Sequence, residues 1–286
     1  MADRFAISFH ETFSLSRPSL AQIIGNAGRS GALNRQFLVD TSLGTNYQKA
    51  MPRYAFRAGL LDKRNNLSVF GRFAARLDPA LEKPATQWLL HYHLAAPHGP
   101  TAFWHYLVRK RFLPGNTFTD DDLIADLTEF LRDVAGKAPA PRSIRSTVTI
   151  FTGTYLKIDG LRQLGLLEEA GPNIYRVPAA GPPPLWALGY ALAEYWHRRI
   201  REEWGFAGED GPDLNGLFRQ KYRGGRYSFG YPACPDLADN EKAWEILDGA
   251  RLGIEVSEDT GFQFQPEQTT CALICHHPRA KYFVAR

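Results

Sequence analysis

Apolar side chains recur at three- and four-residue intervals through much of the first two thirds of this chain, the spacing of a single helical face. Residues 18–28 and 33–61 both hold such patterns. In the second, Phe37, Leu38, Leu43, Tyr47, Met51, Tyr54, Ala55 and Ala58 recur at that interval, and Gly44 divides them into helices at 34–42 and 45–58. Thr45 is the expected cap of the second helix. Leu60 and Leu61 close it after Gly59, and Asp62–Asn66 reads as a polar turn leading into LSVFGRFA. Two short helices and a polar turn suit a helix-turn-helix or a small winged unit, with 62–70 as the wing.

Aromatic-rich helices are expected at 85–95 and 101–113, separated by the breaker Pro97–Pro100. Thr119 followed by acidic residues predicts a helix running to about Val134, with carboxylates at its positive end. A Pro/Ala linker at 137–141 leads to a second helical unit, Ser143–Tyr155 and then Leu156–Leu167, ending in an extended NIYRVP. PAAGPPP (178–184) is the strongest break in the chain. Beyond it lie one long helix, Leu185–Glu203, and alternating loops and strands. The expected architecture is therefore mixed, mainly α with winged-helix-like units before the break and α+β after it. The expected domains are 1–136, 137–184 and 185–286.

Composition adds limits rather than detail. Hydrophobic residues at 44% and charged residues at 22% describe a globular chain with a substantial core. No run of 18 apolar residues occurs, so no membrane span is expected. MADRFAISFHETF lacks the basic start and apolar stretch of a secretory signal. Three cysteines, Cys234, Cys271 and Cys275, fit a reducing compartment, and the cytoplasm is the expected location. Charge is uneven. Residues 1–111 carry fifteen Lys/Arg against six Asp/Glu, whereas 112–133 carry six acids and one Arg. A basic lobe of this kind attracts polyanions.

Lys49, Arg53 and Arg57 recur every fourth residue opposite Met51, Tyr54, Ala55 and Ala58. A basic stripe so placed can lie against duplex DNA, and Lys63 and Arg64 in the following turn would reach neighbouring phosphates. The same spacing also describes the solvated face of a bundle helix. Arg142 and Arg145, opening the second unit, are secondary candidates. The pair His10–Glu11 lacks the second histidine of a zinc helix, and a turn or core role is expected for it. His91 and His93 point apart on one helix, and with His105 read as core histidines. Cys271 and Cys275 would sit about 13 Å apart along a strand, too far to share a metal. No catalytic or metal-ligating set emerges.

Two resemblances then add functional expectations. SFHETF, YAFRAGLL, FGRFAARLDPALEKPATQWLLHYHLA and FTDDDLIADL, spread over residues 1–195, resemble the uncharacterised DUF4007 family. That resemblance implies association with DNA-modification and defence genes and a winged-helix module. AEYWHRRIREEWGFA, LFRQKYRGGRYSFGYPACPD and HPRAKYFVA, within 190–286, resemble the end of the activation domain of cobalamin-dependent methionine synthase. That resemblance implies S-adenosylmethionine binding through Arg226, Ser228, Gly230, Tyr231 and Tyr282. Arg226 would grip the ligand's carboxylate in a bidentate fork, and Gly230 would admit its backbone approach. Tyr231 and Tyr282 would offer ring faces to the adenine or the sulfonium. Tyr190 stands where the family carries an acid, and the domain's first half is absent.

Three readings follow. The leading one is a non-catalytic nucleic-acid-binding accessory protein of a DNA-modification or defence system, with duplex DNA or a defence-system protein as partner. The alternatives are an S-adenosylmethionine-binding module for reductive reactivation of a corrinoid methyltransferase, and a protein-interaction scaffold.

Overall fold

The computed structural model describes residues 5–30, 44–96, 99–136, 139–178 and 187. The chain divides into two units, the first including Met1–Pro182, and the architecture that follows is that unit's. Its elements run α1 (Arg17–Ser30), α2 (Thr45–Arg57), α3 (Val69–Leu77), α4 (Pro84–Ala95), α5 (Ala102–Arg111), β1 (Thr117–Thr119), α6 (Asp120–Ala135) and α7 (Pro141–Leu156). A 3-10 turn (Arg162–Leu164), β2 (Glu168–Gly171) and β3 (Ile174–Arg176) follow. Among the described residues the fold is mixed, mainly helical with a small sheet.

α4 is apolar around nearly its whole circumference, as a central helix must be. Trp88, Leu89, Leu90, Tyr92 and Leu94 are buried, and so are the polar Gln87 and His91. Buried polar groups need partners. Gln87 donates to the Glu82 carbonyl and to Gln163, and His91 Nδ1 lies 3.0 Å from the Tyr155 hydroxyl. Trp104 Nε1 donates to the same hydroxyl at 2.7 Å, so Tyr155 ties α4, α5 and α7 together. Burial pushes the Tyr155 phenol well above its ordinary range, which keeps it neutral and available to both partners.

α6 begins where the sequence places it, for the reason expected. Thr119 accepts from the Asp122 amide while Asp122 accepts from the Thr119 amide, a reciprocal capping box. Gly136, left-handed at φ 71°, ends the helix. α2 differs from expectation at its start. Gly44 at φ 83° is the cap, with no side-chain hydrogen bond, so Thr45 opens the helix instead of capping it. The expected wing at 62–70 is a tight turn held by Asp62, which accepts from the amides of Arg64 and Asn66. A single antiparallel bridge, Leu61 to Leu67, closes that turn, and Ser68 then caps α3. Gly59, at φ 78°, makes the reversal after α2 possible, since a Cβ there would run into the His93 ring.

The helix expected at 156–167 is reduced to one 3-10 turn. The Leu161 amide folds back to the Thr154 carbonyl at 2.6 Å, and left-handed Gly165 ends the turn. The sheet has strand order β1-β3-β2, all antiparallel, with Phe118 opposite Tyr175. β1 thus precedes residue 137 while β2 and β3 follow it, so one sheet joins both sides of the Pro/Ala linker. The helix and strands expected at 185–286 lie outside the described residues, except Ala187.

Candidate functional site

α2 presents its basic residues unequally. Lys49 is exposed, as are Lys63 and Arg64 in the bridged turn. Arg57 is only 5% exposed, its guanidinium 4.0 Å above the Phe9 ring, with Nη1 donating to the Arg53 carbonyl. Arg53 lies between these extremes, 43% exposed at its side chain and paired with Glu11 at 2.7 Å. The expected exposed stripe is therefore corrected: Arg57 belongs to the core and Arg53 is held by an acid. Helical drift explains it. At about 100° per residue, positions 49, 53 and 57 advance roughly 80° around the helix. That drift brings Arg57 to the edge of the face built by Ala50, Met51, Tyr54 and Ala58, all buried.

The loop that captures these arginines is SFHETF. Glu11 at φ 46° and Thr12 at φ 71° turn it tightly, at a cost of order 1–2 kcal/mol per left-handed residue. The Thr12 amide donates to His10 Nδ1 at 2.9 Å, and the Phe13 amide donates to the His10 carbonyl at 2.8 Å. His10 Nε2 meets the Thr147 hydroxyl of α7 at 3.1 Å. Burial lowers the His10 imidazole to about 4, so near neutral pH it is an uncharged core group. His10 and Glu11 thus have the turn and core role expected of them. His105 likewise sits on the Ala95 carbonyl at 2.7 Å. Among the described residues no three His, Cys, Asp or Glu converge as a metal site would require. No helix among them is long and apolar enough to cross a membrane.

A second basic cluster, Arg109–Arg111 at the end of α5, faces the acids of α6. Lys110 pairs with Asp126 at 2.9 Å and with Glu129 at 3.0 Å, while Arg111 pairs with Asp126 and lies 3.6 Å from Asp122. Hydrogen bonds that Lys110 donates to Tyr106, Asp126 and Glu129 raise its pKa above the ordinary range. The acidic run at 120–129 is spent on capping and on these pairs.

α7 differs from both. Arg142, Arg145 and Thr149 are exposed, while Ile144, Thr147, Val148 and Phe151 beneath them are buried. Thr149 donates to the Arg145 carbonyl at 3.0 Å, while the Arg142 and Arg145 guanidinium groups have no ion pair among the described residues. Arg226, Ser228, Gly230, Tyr231 and Tyr282 lie outside the described residues.

Comparison with known proteins gives two family matches that overlap at residues 187–203. The model of a protein family of unknown function, DUF4007, matches residues 8–203. That of the vitamin B12-dependent methionine synthase activation domain matches residues 187–286. Methionine synthases of Mycobacterium leprae (strain TN) and Mycobacterium tuberculosis (strain ATCC 25618 / H37Rv) are 52% and 50% identical to it over 102 residues. Those residues are 34% of this chain and 8% of each synthase, so the chain spans a small part of these relatives. Among solved structures, magnesium ion-bound SspB is similar at TM-score 0.52 and 22% identity, covering 67% of this chain and 65% of that one. A second SspB structure gives 0.50 and 23%, over 66% and 64%. At that identity the likeness shows the fold alone.

Proposed function

The chain belongs to the DUF4007 family of proteins of unknown function, and we propose that its C-terminal segment makes it a non-catalytic S-adenosylmethionine-binding accessory protein. The observation that carries this reading is the match over 187–286, about half identical to two methionine synthases, within which Arg226, Ser228, Gly230, Tyr231 and Tyr282 all fall. Arg226 is assigned to the ligand's carboxylate, Gly230 to close backbone approach, and the two tyrosines to the adenine and sulfonium. In this reading the segment serves the reductive reactivation of a corrinoid methyltransferase. Its site of action is the cytoplasm. Calorimetric titration of the full chain with S-adenosylmethionine tests this. Arg226→Ala is expected to weaken binding by about 1.5–3 kcal/mol, the worth of hydrogen bonds to a charged group. Absence of saturable binding by the unaltered chain overturns the reading.

A second reading, nucleic-acid binding in a DNA-modification or defence system, is favoured by one specific observation. We read the order α5–β1–α6–α7–β2–β3 with sheet order β1-β3-β2 as a winged helix, a relative of the helix-turn-helix whose second helix enters the DNA major groove. In this reading Lys49, Lys63 and Arg64 contribute general attraction to phosphates, while Arg53 and Arg57 act by fixing α2 to the SFHETF loop. Duplex-DNA affinity that falls steeply with added salt supports it, and salt-independent or absent binding removes it.

A further inference from the structure

We propose that the first two turns of α7 form the docking face for B-form duplex DNA, read through Arg142, Arg145, Ser146 and Thr149. This rests on the second reading above and places its contact on a helix distinct from α2. Arg142, Arg145 and Thr149 follow an i, i+3, i+7 spacing, which at about 100° per residue keeps them within roughly 60° of one another. They are exposed, and Ser146 beside them is half-buried. The opposite face is anchored in the core by Tyr155 and by Thr147, so the stripe rides on a fixed support.

Charge points to the partner. The cations elsewhere in this helix-and-sheet unit whose pairing is established, Lys110, Arg111 and Arg176, are matched to Asp126, Glu129, Asp122 and Glu168. Residues 141–156 include two arginines and no acid, and neither guanidinium has an ion pair among the described residues. A polyanion complements that face. The face also has a limit: at Gly153 a Cβ would meet Ser14 Oγ, so the N-terminal loop covers the fourth turn. What remains, residues 142–149, is about 10 Å of helix. A B-form major groove admits such a helix, whereas the A-form RNA major groove is too deep and narrow for it. The β2–β3 hairpin adds no grip on phosphates, since Arg176 is paired with Glu168 and Glu169 is exposed.

Fluorescence anisotropy with a short labelled DNA duplex and the full chain tests the assignment. Replacing both arginines (R142A/R145A) should weaken binding about tenfold or more and reduce the salt slope by about 2, one for each lost phosphate contact. Thr149→Glu, which sets a carboxylate in the groove, should weaken binding while leaving the melting temperature unchanged. A triple variant K49A/K63A/R64A should lose clearly less affinity than R142A/R145A, and an RNA duplex of the same sequence should bind more weakly. Unchanged affinity in the folded R142A/R145A variant, or equal loss in the triple variant, overturns the assignment while leaving DNA binding intact. Equal affinity for the RNA duplex also overturns it. No DNA binding by the unaltered chain overturns both this inference and the second reading, and S-adenosylmethionine titration is indifferent to either result.

Discussion

α2 and α7 each carry arginines at helical spacing, yet α2 buries Arg57 and ties Arg53 to Glu11, while α7 leaves both of its arginines exposed with no ion pair among the described residues. The difference lies in four-residue steps against three-plus-four steps. Successive steps of four drift around the cylinder, so a stripe that starts in solvent at Lys49 ends in the core at Arg57. Alternating three and four cancels the drift, and Arg142, Arg145 and Thr149 all stay exposed. The loop containing Phe9, His10 and Glu11 lies between the two helices, clamping α2 through its arginines and touching α7 through Thr147.

That contrast can be broken most forcefully at Arg57. Arg57→Ala removes a buried stem and its contact with Phe9, and should cost about 3 kcal/mol in urea unfolding. Arg57→Met keeps most of the volume and should lose less. If Arg57→Ala unfolds like the unaltered chain, its burial contributes nothing and the two helices are alike after all.

Acid should act next, through His10. Its folded imidazole sits near 4, below the ordinary 6.5, because burial disfavours the charged form. Between those values the unfolded chain binds the extra proton, so stability is complete above 6.5 and declines as pH falls toward 4. Roughly 2 kcal/mol should be lost between pH 7 and pH 5. A His10→Gln variant should show a flatter acid limb in the same denaturation series.

On α7, Tyr155→Phe leaves the Trp104 indole N–H without its buried acceptor and His91 without its hydroxyl partner. A loss of about 1–2 kcal/mol in thermal or chemical unfolding is expected. The smallest effect belongs to Arg53→Ala, which breaks a half-exposed pair with Glu11 and should cost about 0.5 kcal/mol or less. Its double-mutant cycle with Glu11→Ala measures that coupling directly.

Periodicity made most of the helices legible, and at α6 it was joined by an unambiguous cap in Thr119 and Asp122. It did not reveal which face of α2 would be covered, because the covering loop is brought there by long-range packing from residues 9–11. Arg142 and Arg145 were visible as cations, but their importance depended on Ile144, Thr147 and Val148 being buried beneath them. The sheet was half visible: NIYRVP read as extended, while Thr117–Thr119 is too short to show alternation. The helix expected after Leu156 failed because Gly160 and Gly165 turn the chain locally, a preference that apolar spacing does not report.

The pairing of β1 with β3 has a consequence for how this chain is made. Thr117–Thr119 emerges from the ribosome well before Ile174–Arg176, and until then Phe118 has no Tyr175 ring and Asp120 no Tyr175 hydroxyl to meet. Contacts so distant in sequence slow folding. A nascent chain stalled after α7 would hold α1 to α7 and an unfinished edge, so truncations meant to isolate the helical part should extend at least to Val177.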